Sequence, residues 1–277
     1  MKVVKTVADV RAARAAYPTL GLVPTMGFLH QGHVSLIGQA KADNDAVAVS
    51  VFVNPTQFGA NEDLSRYPRD LERDLALLSD AAVDLAFVPE ADQIYPPGFA
   101  SSIDVGPVAM LLEGASRPGH FAGVATVVAK LFNIVQPSRA YFGQKDAQQC
   151  VVIKRMVCDL NLPVEVIVRP TIREADGLAL SSRNSYLGPV ERKQATVLYR
   201  ALSTARDAFD SGERTAAVLR GIIADAIAAE PAVRLDYVSV ADPDTLQECL
   251  LAGRGTIVSL AAFLGKTRLI DNIILGN

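Results

Sequence analysis

The chain has 277 residues, half of them apolar and 21% charged, with a formal net charge of −3. That composition belongs to a compact globular protein with core enough for one large or two modest domains, and it lacks the basic balance that a nucleic-acid partner demands. No uninterrupted apolar run reaches the roughly 18 residues of a membrane span; the longest, Ala122 to Val135, contains Lys130 and Asn133.

In chain order, Thr6 to Ala16 carries Val7, Val10, Ala13 and Ala16 at helical spacing. Asp9, Arg11 and Arg14 also interrupt the place where a signal peptide needs its apolar segment, which predicts a cytoplasmic protein. Leu20 to Val23 reads as a strand ended by Pro24, Val34 to Lys41 as a helix, and Ala46 to Val53 as a buried strand. Leu71 to Leu78 is amphipathic, Leu85 to Val88 a strand, and Val124 to Ile134 a helix. Ala140 to Phe142, Ala147 to Leu160 and Val164 to Val168 follow as strand, helix and strand. This alternation predicts an α/β fold, a parallel sheet with helices on both faces. Ligands of such sheets bind beyond the carboxyl ends of strands, so chemistry is expected after Val23, Val53 and Phe142. Thr171 to Leu187 is polar and reads as a hinge. Two alanine-rich helical stretches, Val190 to Ala208 and Ala216 to Ala229, then precede strand-like runs at Leu235 to Val240, Gly255 to Ala262 and Thr267 to Leu275, a smaller C-terminal α+β domain with an antiparallel sheet. The expected division is 1–171 and 172–277. Cys150, Cys158 and Cys249 are odd in number and match no metal spacing, so they read as reduced core thiols.

Four segments carry candidate chemistry. Pro24-Thr25-Met26-Gly27-Phe28-Leu29-His30-Gln31-Gly32-His33 lies between a strand and a helix. His30 and His33 share one face of the helix start, where the dipole favours an anion, and Gly32 admits close approach. The pair reads as donors to phosphate; capping histidines and a metal site are the alternatives. Asn54 and Gln57, in Phe52-Val53-Asn54-Pro55-Thr56-Gln57-Phe58, offer uncharged amides for hydroxyls or a carboxylate, although Asn-Pro alone is also a turn signal. Gly143-Gln144-Lys145-Asp146 with Gln149 supplies a close-approach glycine, a point charge for phosphate, a helix cap and an amide on the same side. It also reads as an ordinary capped helix start. Leu180-Ser181-Ser182-Arg183-Asn184 places two hydroxyls and a guanidinium where they can grip phosphate and close over a nucleotide, or serve only as a linker. Asp70, Glu72 and Asp74 start a helix; a carboxylate there suits Mg²⁺ on a nucleotide or simply the helix dipole. Arg117 and His120 precede another helix. Neither the nucleophile elbow of serine hydrolases nor the Walker phosphate loop is present.

These segments, taken with Tyr67-Pro68-Arg69, His120-Phe121-Ala122-Gly123-Val124 and Arg173-Glu174-Ala175-Asp176-Gly177-Leu178, resemble the pantothenate synthetase family in order and spacing. The first also resembles the His-x-Gly-His signature of the wider nucleotidyltransferase superfamily. The resemblance implies a Rossmann-like first domain, a homodimer, and the ATP-dependent joining of pantoate and β-alanine with Mg²⁺. It implies ATP contacts from Pro24 through His33, from Gly143, Gln144, Lys145 and Asp146, and from Ile172, Leu180, Ser181, Ser182 and Arg183. His33 is the implied proton donor, with His30, Lys145, Ser182 and Arg183 beside it in catalysis. Gln57, Gln149, Asn54 and Met26 are the implied pantoate contacts, and Asp74 the Mg²⁺-side carboxylate. Asp70 stands where a threonine is expected, and Leu180 to Asn184 has no lysine. The rival activities are a nucleotidyltransferase acting on a phosphorylated acceptor and a nucleotide-sensing module.

Overall fold

The computed structural model describes residues 1–59 and 64–276. It divides into two compact units: Met1–Gly143 with Val152–Pro170, and Gln144–Val151 with Thr171–Asn277. The sequence reading cuts the chain once, at residue 171. The structure adds that a short stretch from the middle of the chain belongs with the C-terminal unit.

The first unit runs β1 (Lys2–Val4), α1 (Val7–Arg14), β2 (Leu20–Thr25), α2 (Gln31–Asp43), β3 (Ala46–Val51), α3 (Leu71–Asp80), β4 (Leu85–Phe87), α4 (Ala91–Ile94), α5 (Glu113–Ser116), α6 (His120–Val135), β5 (Arg139–Gly143), α7 (Ala147–Asp159, divided between the units) and β6 (Glu165–Arg169). All its strand pairs are parallel, in the order β1-β4-β3-β2-β5-β6. Val23, Val47, Val49, Ala86 and Tyr141 share one core with Leu36, Ile37 and Ala40 of α2. Their neighbours Leu22, Ala48, Leu85 and Ala140 are fully buried and point to the opposite face; α6 also contacts β2, and none of its residues belongs to the α2-side core. Helices therefore cover both faces, which is why the strands are apolar throughout instead of alternating.

Several boundaries differ from the periodicity. β2 continues two residues past Val23 because Pro24 and Thr25 stay in register with Ser50 and Val51 of β3. β5 pairs with β2 only at Gly21 and Leu22, so the missing N–H of Pro24 lies beyond that ladder. α6 begins at His120 and is buried on nearly every side, so it offers no polar stripe to mark its start. Edge strand β1, three residues long, is not legible as a strand in the sequence.

The second unit contains α8 (Pro189–Gln194), α9 (Val197–Asp210), α10 (Ala216–Ala228) and the antiparallel strands β7 (Val233–Ala241), β8 (Ile257–Leu264) and β9 (Thr267–Ile274). Leu198, Ala201, Leu202, Ala205 and Phe209 form one face of α9, and with Leu219, Ile223 and Ile227 of α10 they pack on Val240, Val258, Leu260 and Ile273 of the sheet. The single helix expected from Val190 to Ala208 is broken near Thr196, whose hydroxyl donates to the Lys193 carbonyl at 2.8 Å. The segment read as a hinge, Thr171 to Leu187, makes fixed contacts inside this unit. Arg173 pairs with Ala179 across a short bridge and grips Asp271 of β9 with both guanidinium nitrogens, at 2.6 and 2.9 Å. Of the cysteines only Cys150 is a core thiol; Cys158 is exposed and Cys249 half-buried. Among the described residues no helix is long and apolar enough to cross a membrane.

Candidate active site

Strands β3, β2 and β5 are adjacent and parallel, so Val51, Thr25 and Gly143 end at one edge of the sheet. From β2 the chain proceeds to β3 on one side and later returns to β5 on the other, which makes this the point where strand order reverses. The loop after β2 is shaped by left-handed backbone at Gly27 (φ +81°) and Phe28 (φ +50°). A Cβ on Gly27 would lie 2.9 Å from Asp74 Oδ2, so only glycine admits the carboxylate. That carboxylate, 1% exposed, accepts from the N–H groups of Phe28 and Leu29, both at 2.7 Å. Arg73, beside it on α3, donates to the Leu29 carbonyl at 3.0 Å and stacks over the Phe28 ring. The first turn of α3 thus clamps both the donors and the acceptor of the loop.

The loop delivers His30 as the N-cap of α2 and His33 three residues on, so the helix starts before His33, not at it. His30 Nδ1 accepts from Gly32 N–H at 3.2 Å, and His33 Nδ1 accepts from His30 N–H at 3.3 Å. The two rings lie 4.1 Å apart. This is a capping box built from imidazoles. A neutral ring whose Nδ1 accepts carries its proton on Nε2, so both Nε2 atoms are donors at a positive helix end.

At the start of the same loop, Met26 meets Gln57, and Gln57 meets Asn54. Gln57 Nε2 approaches Met26 Sδ at 3.0 Å, and its Oε1 accepts from Asn54 Nδ2 at 3.1 Å. Asn54, 1% exposed, has little left to offer a ligand. Its oxygen accepts from Thr56 N–H and Tyr95 O–H, and its NH₂ also donates to the Gly123 carbonyl. Burial raises the Tyr95 pKa against its hydrogen bonds to Thr56 and Asn54, keeping it a neutral donor. His120 Nδ1 and Arg117 reach the Gln57 carbonyl at 2.8 and 3.3 Å. Gly123 packs so tightly that a Cβ would fall 2.4 Å from the Thr56 carbonyl oxygen. Asn54, Arg117, His120 and Gly123 therefore fix the turn that presents Gln57.

The second unit groups a separate set. Gln144–Asp146 form a 3-10 turn with Lys145 Nζ 3.3 Å from Asp146 Oδ1, and Gln149 follows in the first turn of α7. Asp146 therefore partners the lysine ammonium. Ser181 caps the turn Ser182–Tyr186 by accepting from Arg183 N–H at 3.2 Å, and Leu180 N–H bonds the Ile172 carbonyl at 3.0 Å. Both turns border β9.

The model of the family described as Pantoate-beta-alanine ligase matches residues 2–274. The chain belongs to the pantoate–β-alanine ligase family. It is 60% identical to the pantothenate synthetase of Roseiflexus sp. over 99% of both chains, and 54% identical to that of Gluconobacter oxydans over 99% of this chain and all of the relative. The crystal structure of pantothenate synthetase from Thermus thermophilus superposes with a TM-score of 0.95 at 52% identity, covering 99% of each chain. The pantoate–β-alanine ligase of Francisella tularensis, crystallised with beta-gamma ATP and beta-alanine, gives a TM-score of 0.81 at 36% identity, covering 99% of this chain and 97% of that one.

Asp70, the position where the resemblance implies a threonine, has a local task. Asp70 is the N-cap of α3 and accepts from Arg73 N–H at 3.1 Å, a task a threonine also performs. Asp74 does not fit the Mg²⁺ role expected of it, because its buried oxygens already hold two backbone N–H groups. Among the described residues no group of three or more His, Cys, Asp or Glu could hold a metal ion.

Sequence reasoning missed Asn272, which donates to the Gln144 and Lys145 carbonyls at 2.9 and 2.8 Å. It also missed the Arg173–Asp271 pair behind it. Burial pushes the Asp271 carboxyl up, while the Arg173 guanidinium pulls it back. Nothing local in the third strand-like run marks either residue as part of a site.

Proposed function

We propose that this protein joins (R)-pantoate to β-alanine at the expense of ATP, through a pantoyl-adenylate, releasing AMP and pyrophosphate. The observation that carries the reading is the His30–His33 capping box on a loop whose Met26 meets the Gln57 amide, in a chain matched along its length by the ligase family.

In the first step a pantoate carboxylate oxygen bonds the α-phosphorus, the bond from that phosphorus to the bridging oxygen breaks, and pyrophosphate leaves. Charge grows on phosphate oxygens. The Nε2–H groups of His30 and His33 meet it as fixed donors, which stabilise a transition state more than a ground state. Lys145, Ser182 and Arg183 are assigned the same task, and Gln57 and Gln149 the pantoate hydroxyls and carboxylate. In the second step the free amine of β-alanine forms a carbon–nitrogen bond to the acyl carbon, the acyl carbon–oxygen bond breaks with its electron pair going to AMP, and the amine's proton passes to water. No protein nucleophile enters either step. Mg²⁺ is assigned to the nucleotide's phosphates as part of the substrate. Asn54 is assigned to holding Gln57, and Asp74 to holding the phosphate loop. A cytoplasmic location and a homodimer accompany the reading as family expectations.

The test is ATP–pyrophosphate exchange with pantoate and without β-alanine. Exchange dependent on pantoate alone is the expected result. Exchange only with a phosphorylated acceptor would favour a nucleotidyltransferase, and tight ATP binding with no exchange a sensing module.

A further inference from the structure

Asn272 lies in β9, 2% exposed, at a sheet position opposite Ser259 of β8 where no strand requires an amide. Its Nδ2 donates to both the Gln144 and the Lys145 carbonyls, and its Oδ1 accepts from Gln144 Nε2 at 3.2 Å. Fixing two consecutive carbonyls fixes the planes of the peptides on either side of Lys145, because each peptide is rigid. The direction in which the Lys145 side chain leaves the backbone is then set. Asn272 is itself immobilised: its N–H donates to Asp271 Oδ1 at 2.7 Å, and its carbonyl accepts from Arg173 Nη2 at 3.1 Å. Arg173 in turn stacks on the Tyr199 ring, 3.8 Å from its centroid.

We propose that Asn272 is a positioning residue for adenyl transfer, acting through Lys145 by clamping the turn that carries it. This rests on the role assigned to Lys145 above. A side chain that only supported the sheet would affect stability and leave the lysine's contribution unchanged.

The experiment is a double-mutant cycle read by pantoate-dependent pyrophosphate exchange in the full-length enzyme. It compares Asn272→Ala and the milder Asn272→Ser in wild-type and Lys145→Ala backgrounds, with thermal unfolding recorded for each. In the wild-type background, Asn272→Ala should lower the exchange rate constant by up to about 10²-fold with the pantoate KM unchanged. In the Lys145→Ala background the same change should cost no more than about twofold. Equal losses in both backgrounds would overturn this proposal alone. Undiminished exchange by Lys145→Ala would overturn the Lys145 assignment and this proposal with it. Failure of both Asn272 variants to fold would make the residue structural and overturn it too.

Discussion

Asp74 and Leu29 are 45 residues apart in sequence, and the carboxylate of the first accepts the backbone N–H of the second at 2.7 Å. The same carboxyl group holds Phe28, a residue in left-handed backbone, so one buried side chain keeps a strained loop in the shape that starts α2. Asp74→Asn replaces one acceptor oxygen with an NH₂ group facing an N–H. It should cost about 1.5–3 kcal/mol in urea unfolding. Exchange activity should fall, while the Mg²⁺ concentration for half-activation stays where it is. A marked shift in that concentration would restore Asp74 as a metal ligand.

His33 is a capping acceptor at Nδ1 and is assigned, under the proposed function, a phosphate-donor role at Nε2; glutamine can separate the two. Glutamine at this position of a helix completes a capping box. His33→Gln should therefore unfold near the wild-type temperature yet lose about 10²–10³ in adenylation rate. Retained activity would contradict the donor role.

Gly123→Ala drives a methyl group into the Thr56 carbonyl, and the displaced turn carries Gln57. Overpacking of this kind costs about 1–3 kcal/mol. The pantoate KM, measured where it tracks binding, should rise while the KM for ATP changes little. Gln57→Ala should raise the same constant without the loss of stability.

Arg173→Ala leaves Asp271 buried without its partner, at an expected cost of about 3–5 kcal/mol by chemical denaturation. Adding Asp271→Asn removes the uncompensated charge and should recover part of that loss. No recovery in the double variant would mean that the guanidinium acts by packing on Tyr199 and not by charge.

Tyr141, fully buried, donates to Asp43 at 3.0 Å and accepts from Asn44 at 2.8 Å; burial and the neighbouring carboxylate push its pKa up to about 12. A phenol whose pKa is higher folded than unfolded adds stability below the unfolded value of 10.0, and that contribution is lost as pH rises through about 12. Tyr141→Phe should be less stable by about 1 kcal/mol at neutral pH. Between neutrality and about pH 11 its stability should fall less steeply than wild type. Parallel slopes for the two proteins would show that Tyr141 titrates normally.

Residue order by itself determined the alternation of strands and helices in the first unit, the antiparallel strands of the second, and the positions after Val23, Val53 and Phe142 where chemistry is sought. These follow from periodicity and from the rule for parallel sheets, both of which are written in near neighbours along the chain. It also placed His30, His33 and Gln57 among the candidates, because histidine and amide residues at strand ends are rare enough to notice; Met26 came in only through the family resemblance. The tertiary structure alone decided which groups each polar side chain bonds. Asp74 reads in the sequence as a metal-side carboxylate, and in the fold it holds the Phe28 and Leu29 N–H groups; Asn54 reads as a substrate contact, and in the fold it bonds Thr56, Tyr95 and Gly123. Asn272 looks like any polar residue in a short strand until the Gln144 and Lys145 carbonyls reach it, 128 and 127 residues away in the chain. A side chain's chemistry is local, but the hydrogen bonds that consume or direct it are made by groups that only folding brings near.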